Sequence, residues 1–130
     1  MSKPLVLVVD DEPAIRETIA FILEMEGFAV ATAVDGEEAL KVIPALRPPV
    51  VLLDGMMPRR DGFDVCRTIK GMPELAAVRV IMLTALGQKA DRERAFAAGA
   101  DFFVTKPFDE GELLALLRRL TAGDGAGIPP

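Results

Sequence analysis

Five short apolar runs, each followed by a stretch with helical spacing, restrict this chain to alternating β and α units. The runs are Leu5–Val9, Phe28–Ala33, Val50–Leu53, Val80–Leu83 and Phe102–Val104. Strands separated by helical crossovers pair in parallel, and helices then cover both faces of the sheet. The expected fold class is therefore α/β, a five-stranded parallel sheet in a doubly wound (βα)5 arrangement.

The boundaries follow from local chemistry. The first strand spans Pro4–Asp10, and Pro13 stands where the first turn of a helix tolerates proline. Ile15, Ile19, Ile22 and Leu23 make the apolar stripe of that helix, and Gly27 supplies a left-handed stop. Phe28–Ala33 is the second strand, Asp35-Gly36 a turn, and Glu37–Leu46 a helix ended by Arg47-Pro48-Pro49. Val50–Asp54 is apolar up to its last residue, as a central strand buried on both faces should be. A loop from Gly55 to Asp61 contains Pro58 and leads into a helix over Gly62–Gly71. Val78–Leu83 is the fourth strand, Gln88–Ala98 the fourth helix and Asp101–Thr105 the fifth strand. Glu110–Thr121 closes the pattern, with Leu113, Leu116, Leu117 and Leu120 on one arc. Residues 1–122 read as one domain and 123–130 as a Gly/Pro-rich tail or the start of a linker.

Composition removes several function classes. Fifteen Lys and Arg against 20 Asp and Glu leave a net charge of −5, which disfavours direct nucleic-acid binding by this segment. One cysteine and no histidine exclude disulfide frameworks, Cys/His zinc sites and any phosphate carried on a histidine of this chain. No run reaches the ~18 apolar residues of a membrane span, and no signal-peptide layout precedes Leu5, so the expected location is cytoplasmic. Cys66, mid-helix among apolar neighbours, reads as inert packing, and the six methionines as gap fillers.

What remains is a set of polar residues at strand ends: Asp10-Asp11, Asp54, Thr84 and Lys106. In an open parallel sheet, ligands bind in the crevice beyond the strand carboxyl ends. Crowded carboxylates repel one another unless a hard cation sits among them, and Mg²⁺ takes oxygen ligands. A lysine and a hydroxyl in the same crevice suit a phosphoryl group, so the set reads as metal-assisted phosphorylation of an aspartate. Each residue has a plainer role when taken alone. Asp10 and Asp11 could cap the first helix, Asp54 could merely end a strand, Thr84 could be a turn residue, and Lys106 could be solvated. The joint placement of all of them at strand ends favours the site.

These residues sit in motifs that resemble the receiver domain of bacterial two-component response regulators, of the chemotaxis-regulator type. The motifs are Val8-Val9-Asp10-Asp11-Glu12-Pro13, Leu53-Asp54-Gly55-Met56-Met57-Pro58, Asp61-Gly62-Phe63, Leu83-Thr84-Ala85, Gly99-Ala100-Asp101 and Lys106-Pro107-Phe108. The resemblance runs from about Lys3 to Leu120 and implies a flavodoxin-like strand order 2-1-3-4-5. It implies that Asp54 is the phosphoacceptor. Mg²⁺, with Mn²⁺ as a substitute, would be held by Asp11, Asp54 and the Met56 backbone carbonyl, and by Asp10 through a water. Lys106 and Thr84 would contact the phosphoryl oxygens, and Phe103 would be the switch aromatic, a phenylalanine where tyrosine is frequent.

The implied partners are a sensor histidine kinase or histidine phosphotransfer protein as donor, and an output domain or partner protein. The output would read the face made by the fourth helix, fifth strand and fifth helix, with homodimerisation on phosphorylation. There Phe102 and Leu116 stand where transcription-factor relatives carry a charged pair, so an apolar contact is expected in its place. Met56 and Leu86 stand where polar side chains position a hydrolytic water, which implies a slow loss of the phosphoryl group. The resemblance is to a signalling phosphoacceptor, not a classical enzyme.

A haloacid-dehalogenase-type phosphatase wants a second acid two residues after its nucleophile; Asp10 is followed at that spacing by Glu12 and Asp54 by Met56, and the pattern fails. An FMN carrier would need a Gly/Ser/Thr phosphate loop and flanking aromatics, and the chain has no Trp or Tyr. A receiver-shaped interaction module working without phosphorylation is the remaining alternative.

Overall fold

A computed structural model describes residues 3–58, 60–85 and 89–122. Among these residues five strands and five helices alternate: β1 Leu5–Val9, α1 Pro13–Met25, β2 Ala29–Ala33, α2 Gly36–Leu46, β3 Val50–Asp54, α3 Gly62–Lys70, β4 Arg79–Thr84, α4 Lys89–Ala97, β5 Phe102–Thr105 and α5 Glu110–Leu120. The strands form one parallel sheet in the order β2-β1-β3-β4-β5, as the resemblance implied. Every residue of β3 is buried, which explains why that strand carries no alternation of polar and apolar side chains.

Two apolar layers flank the sheet. Leu7, Val9, Val51, Leu53, Val80 and Met82 face α2, α3 and α4, where Ile43, Phe63, Ile69 and Ala95 meet them. Val6, Val8, Val50, Leu52, Ile81 and Leu83 face α1 and α5, packing on Ile19, Leu23, Leu113 and Leu117. Cys66 is fully buried, and burial pushes its thiol up to about 11, in keeping with inert packing.

Some sequence expectations shift. Asp35-Gly36 is a helix start: Asp35 caps α2 by accepting the Glu38 N–H at 2.9 Å, and Gly36 is its first residue. β4 begins at Arg79 and runs through Thr84, whose ladder partner is Thr105, so Thr84 ends the strand where the sequence placed it just beyond. On α5 the buried arc uses Leu114 with Leu113, Leu117 and Leu120, and Leu116 is only half-buried at its margin. A 3-10 turn at Pro73–Leu75 lies in the connection before β4, where no element was expected. Gln88, the expected start of the fourth helix, and the tail 123–130 lie outside the described residues.

At the amino end of the sheet, Asp101 ties three elements together. Its Oδ2 accepts the Val80 N–H and the Lys70 ammonium, both at 2.8 Å, and Arg79 Nη1 stands 3.5 Å from Oδ1. Lys70 also donates to the Val78 carbonyl at 2.7 Å. Gly99, at φ +97, lies so close to the Lys70 stem that a side-chain carbon there would sit 2.9 Å from Cγ. The motif Gly99-Ala100-Asp101 therefore holds the amino ends of β4 and β5 against α3.

Candidate functional site

At the opposite, carboxyl end of the sheet, the strand termini deliver the remaining polar residues. Asp10 is the first residue past β1 and is 2% exposed. Its Oδ1 accepts the Glu12 N–H at 2.9 Å and its Oδ2 the Lys106 ammonium at 3.0 Å. The N-cap of α1 is Glu12, with no side-chain cap bond, so neither aspartate of the pair serves as the helix cap. Asp54 ends β3, 6% exposed; its Oδ1 accepts the Met56 N–H at 3.2 Å and lies 3.6 Å from Lys106 Nζ. Asp11 is more open than either. Carboxylate oxygens of Asp10, Asp11 and Asp54 all lie within 4.8 Å of one another.

Close backbone packing makes this convergence possible. Gly55 N–H bonds the Leu83 carbonyl at 2.9 Å, and Gly62 N–H bonds the Gly55 carbonyl at 3.1 Å. A side-chain carbon on Gly62 would stand 2.1 Å from the Asp54 carbonyl oxygen, so only glycine lets the start of α3 lie on the end of β3. On the α1 side, Arg16 Nη1 donates to the Asp10 carbonyl at 2.7 Å and pins the loop that carries the acid pair. Nothing in the spacing of the sequence announced that contact.

The electrostatics are unbalanced. Among these groups, three carboxylates face one ammonium. Two charges 4.8 Å apart repel by about 3 kcal/mol at an effective dielectric near 20, and one lysine offsets only part of that. Asp54 titrates at about 6: burial is the main cause, Lys106 and the Met56 N–H oppose it, and the Asp10 and Asp11 charges add to it. For Lys106, burial disfavours the charged form. Its hydrogen bond to Asp10 and the attraction of Asp54 outweigh that and raise its pKa.

Thr84 and Phe103 occupy the neighbouring strands. By strand alternation both belong to the face covered by α3 and α4, and Phe103 packs half-buried on that layer. Thr84 is buried, its Cβ 3.5 Å from where a side-chain carbon on Gly55 would stand. Lys106 is joined to Pro107 by a cis peptide, and its N–H bonds the Thr84 carbonyl at 2.8 Å. Met56 is 53% exposed at the lip of the site. From Asp54 and Lys106 a groove of about 740 Å³ runs along α1, floored by Ile15, Ile19, Ile22 and Phe108.

A hard divalent cation fits this donor set, because among the described residues three clustered carboxylates with one counter-charge are short of positive charge. The site thus combines an oxygen-rich cation pocket, a buried carboxylate of raised pKa, and an ammonium within reach of both.

Comparison with known proteins leads to one family. The family model "Response regulator receiver domain" matches residues 6–118. The DNA-binding dual master transcriptional regulator RpaA of Synechocystis is 44% identical over 117 residues, covering 90% of this chain and 48% of the relative. The phosphate regulon transcriptional regulatory protein PhoB of Rhizobium meliloti is 38% identical, covering 90% of this chain and 52% of its own length. The chain thus spans about half the length of these curated relatives. Among solved structures, the Vibrio cholerae chemotaxis protein CheY4 superposes with a TM-score of 0.85 at 31% identity, covering 92% of this chain and 99% of that one. The receiver domain of the Pseudomonas aeruginosa sensor histidine kinase PA1611, solved with a magnesium ion in its active-site cleft, gives 0.84 at 30% identity, covering 92% and 98%. With the sheet order, the acidic pocket and the matched span in agreement, the chain belongs to the response regulator receiver domain family of two-component signalling.

Proposed function

We propose that Asp54 accepts a phosphoryl group from a phosphohistidine of a sensor histidine kinase or histidine phosphotransfer protein. The observation that carries this reading is the convergence, among the described residues, of Asp10, Asp11 and Asp54 within 4.8 Å beside the Lys106 ammonium. A new Asp54 Oδ–P bond forms as the P–N bond to the donor histidine breaks, and the imidazole leaves with the electron pair. Mg²⁺, or Mn²⁺ in its place, would be held by Asp11, Asp54 and the Met56 carbonyl, with Asp10 acting through a water. Bound there, the cation supplies charge neutralisation for the transferring group.

Lys106, 3.6 Å from the Asp54 oxygen, pairs with the incoming phosphoryl oxygens, and the Thr84 hydroxyl hydrogen-bonds one of them. The groove along Ile15, Ile22 and Phe108 starts at Asp54, so an apolar surface of the donor can lie beside the reacting atoms. Phe103 lies on the Thr84 side of β5 and carries the change outward to the surface of α4, β5 and α5, which an output domain or partner protein reads.

Phe102 and Leu116 both pack half-buried on the α1–α5 layer at that surface. An apolar contact between two copies replaces a salt-bridged one there; a sedimentation mass that stays monomeric at all concentrations after phosphorylation would count against it. The exposed apolar side chain of Met56 leaves no polar group at that position to orient a hydrolytic water, so the acyl phosphate persists. Leu86, the second residue in that expectation, lies outside the described residues.

Intact-mass spectrometry after incubation with acetyl phosphate tests the main reading. One phosphoryl adduct that needs Mg²⁺ and is missing in Asp54→Asn is the expected result. An unmodified wild-type chain would leave a receiver-shaped module that works without phosphorylation.

A further inference from the structure

α4 is held to the rest of the molecule by unusually little apolar surface. Ala95 is its one buried residue, Ala98 follows just beyond its end, and Phe96 is 45% exposed. Alanines bury too little area to anchor a helix firmly. Among the described residues, the polar side-chain contacts from α4 to another helix come from Arg94. Its Nη2 lies 3.1 Å from Asp61 Oδ2, and its Cζ sits 4.2 Å from the centroid of the Phe63 ring.

Both partners of Arg94 belong to the block that carries the site. Asp61 caps α3, its other oxygen accepting the Asp64 N–H at 2.9 Å. Phe63 is 1% exposed, and its ring would stand 3.2 Å from a side-chain carbon on Gly55, next to Asp54. The same Gly55 position lies 3.5 Å from the Thr84 Cβ, and the Gly55 carbonyl accepts the Gly62 N–H. A continuous set of contacts therefore runs from α4 through Arg94, Asp61 and Phe63 to the backbone between Asp54 and Gly62.

From this geometry we infer that Arg94 is a positioning residue that ties α4 to the phosphoacceptor loop, so that occupancy at Asp54 and the placement of α4 are energetically linked. The inference rests on Asp54 being the occupied site. An ion pair and a ring contact, both solvent-facing on the arginine side, make a weak tie, which is what a reversible linkage needs. Linkage is reciprocal: whatever holds α4 changes affinity at Asp54 by the same factor that occupancy at Asp54 changes α4.

Hydrogen exchange read by mass spectrometry on the full chain tests this, with and without Mg²⁺ and beryllofluoride as phosphoryl mimic. Adduct formation is followed separately by fluorine NMR. In Arg94→Met, which keeps an apolar stem on Phe63 but drops the charge, the amides of α4 should exchange about tenfold faster in the ligand-free state, within the range of ordinary coupling energies. Asp61→Asn keeps a capping side chain and loses the charge, so it should loosen α4 similarly, and the double variant should be no looser than either single one. Beryllofluoride should change α4 exchange in the wild type and change it severalfold less in Arg94→Met, where only the Thr84–Phe103 route is left, although the adduct forms in both.

Unaltered α4 exchange in the single variants, or a full α4 response in Arg94→Met, would overturn the role of Arg94 alone. Absence of a beryllofluoride adduct in the wild type would overturn the reading of Asp54, and the linkage with it.

Discussion

The two ends of the sheet each carry a lysine bonded to a buried or half-buried aspartate, and they are built on opposite charge balances. At the amino end, one carboxylate, Asp101, is met by Lys70, Arg79 and the Val80 N–H. At the carboxyl end, Asp10, Asp11 and Asp54 share Lys106. The first cluster is complete within the chain and has no use for a further ion. Among the described residues the second is short of positive charge, and burial, with the Asp10 and Asp11 charges adding to it, lifts the Asp54 pKa to about 6. Residue types alone do not distinguish a structural ion cluster from a functional one; the ratio of acids to cations does.

Removing the acid from each end should therefore move stability in opposite directions. Asp101→Ala would leave the Val80 N–H without its acceptor and the Lys70 ammonium with the Val78 carbonyl alone, at a cost of about 3 kcal/mol, the low end for broken buried pairs because both side chains keep some exposure. Urea unfolding at pH 7 without divalent metal would measure it. A loss below about 1 kcal/mol would mean that the amino-end cluster is not a structural tie.

Asp54→Asn in the same buffer should raise stability. Folding lifts the Asp54 pKa from 3.8 to about 6, so the folded state binds the proton more tightly than the unfolded chain. The wild type is thus favoured most below about pH 4, loses stability as pH rises through 6, and levels off above it. At ~1.4 kcal/mol per pKa unit the penalty above pH 7 is on the order of 2–3 kcal/mol, and the amide variant escapes it. The gain should shrink toward zero as pH is lowered to 4. A gain of the same size at pH 4 and pH 7.5 would show that ionisation of Asp54 is not its source.

How far these two ends could be read from sequence differs in the same way. The acids and the lysine of the carboxyl end stood out because each closes an apolar run, and strand direction alone sends them to one crevice. Lys70 and Asp101 lie 31 positions apart on a helix end and before a strand, and no local period links them. Gly99-Ala100-Asp101 was visible as a motif, but its purpose emerges only once the Lys70 stem is seen against Gly99. The Arg94 contact with Asp61 and Phe63 was equally silent, since 33 residues separate the ion pair. Thr84 ends β4 where the sequence reading puts it one step beyond, because a threonine that ends a strand and one that follows it look alike in sequence. The capping reading of Asp10 and Asp11 competed on local grounds and lost to two non-local facts, the Lys106 contact and the proximity of Asp54. In short-range chemistry the sequence is explicit; which polar groups meet across the sheet is set by topology.

Divalent metal should sharpen the contrast further. Mg²⁺ at about ten times its dissociation constant should stabilise the wild type by about 1.4 kcal/mol through mass action. The same addition should stabilise Asp101→Ala equally and Asp54→Asn much less, because only the latter loses a proposed ligand. Thermal unfolding of the three proteins across a Mg²⁺ series would decide it. Equal stabilisation of all three would place the metal elsewhere.

The smallest effect is expected from Arg79, and it bears on whether the amino-end cluster is redundant in positive charge. Its Nη1 lies 3.5 Å from Asp101 Oδ1, at the edge of a hydrogen bond, and its side chain is 39% exposed. Lys70 is nearer, more enclosed, and also bonds a backbone carbonyl. An exposed ion pair of this kind contributes roughly 0–1 kcal/mol, and here a second cation remains on the same carboxylate. Arg79→Met should thus change unfolding free energy by less than about 0.5 kcal/mol, with no dependence on Mg²⁺. Lys106→Met at the other end removes the one ammonium that meets these acids among the described residues, so metal-free stability should fall while Mg²⁺ stabilises the variant more than the wild type, the cation no longer competing with Nζ 3.0 Å from Asp10. If Arg79→Met proved as costly as Lys106→Met, the charge at the amino end would be as finely balanced as that at the site. The acid-to-cation ratio would then no longer separate the two ends.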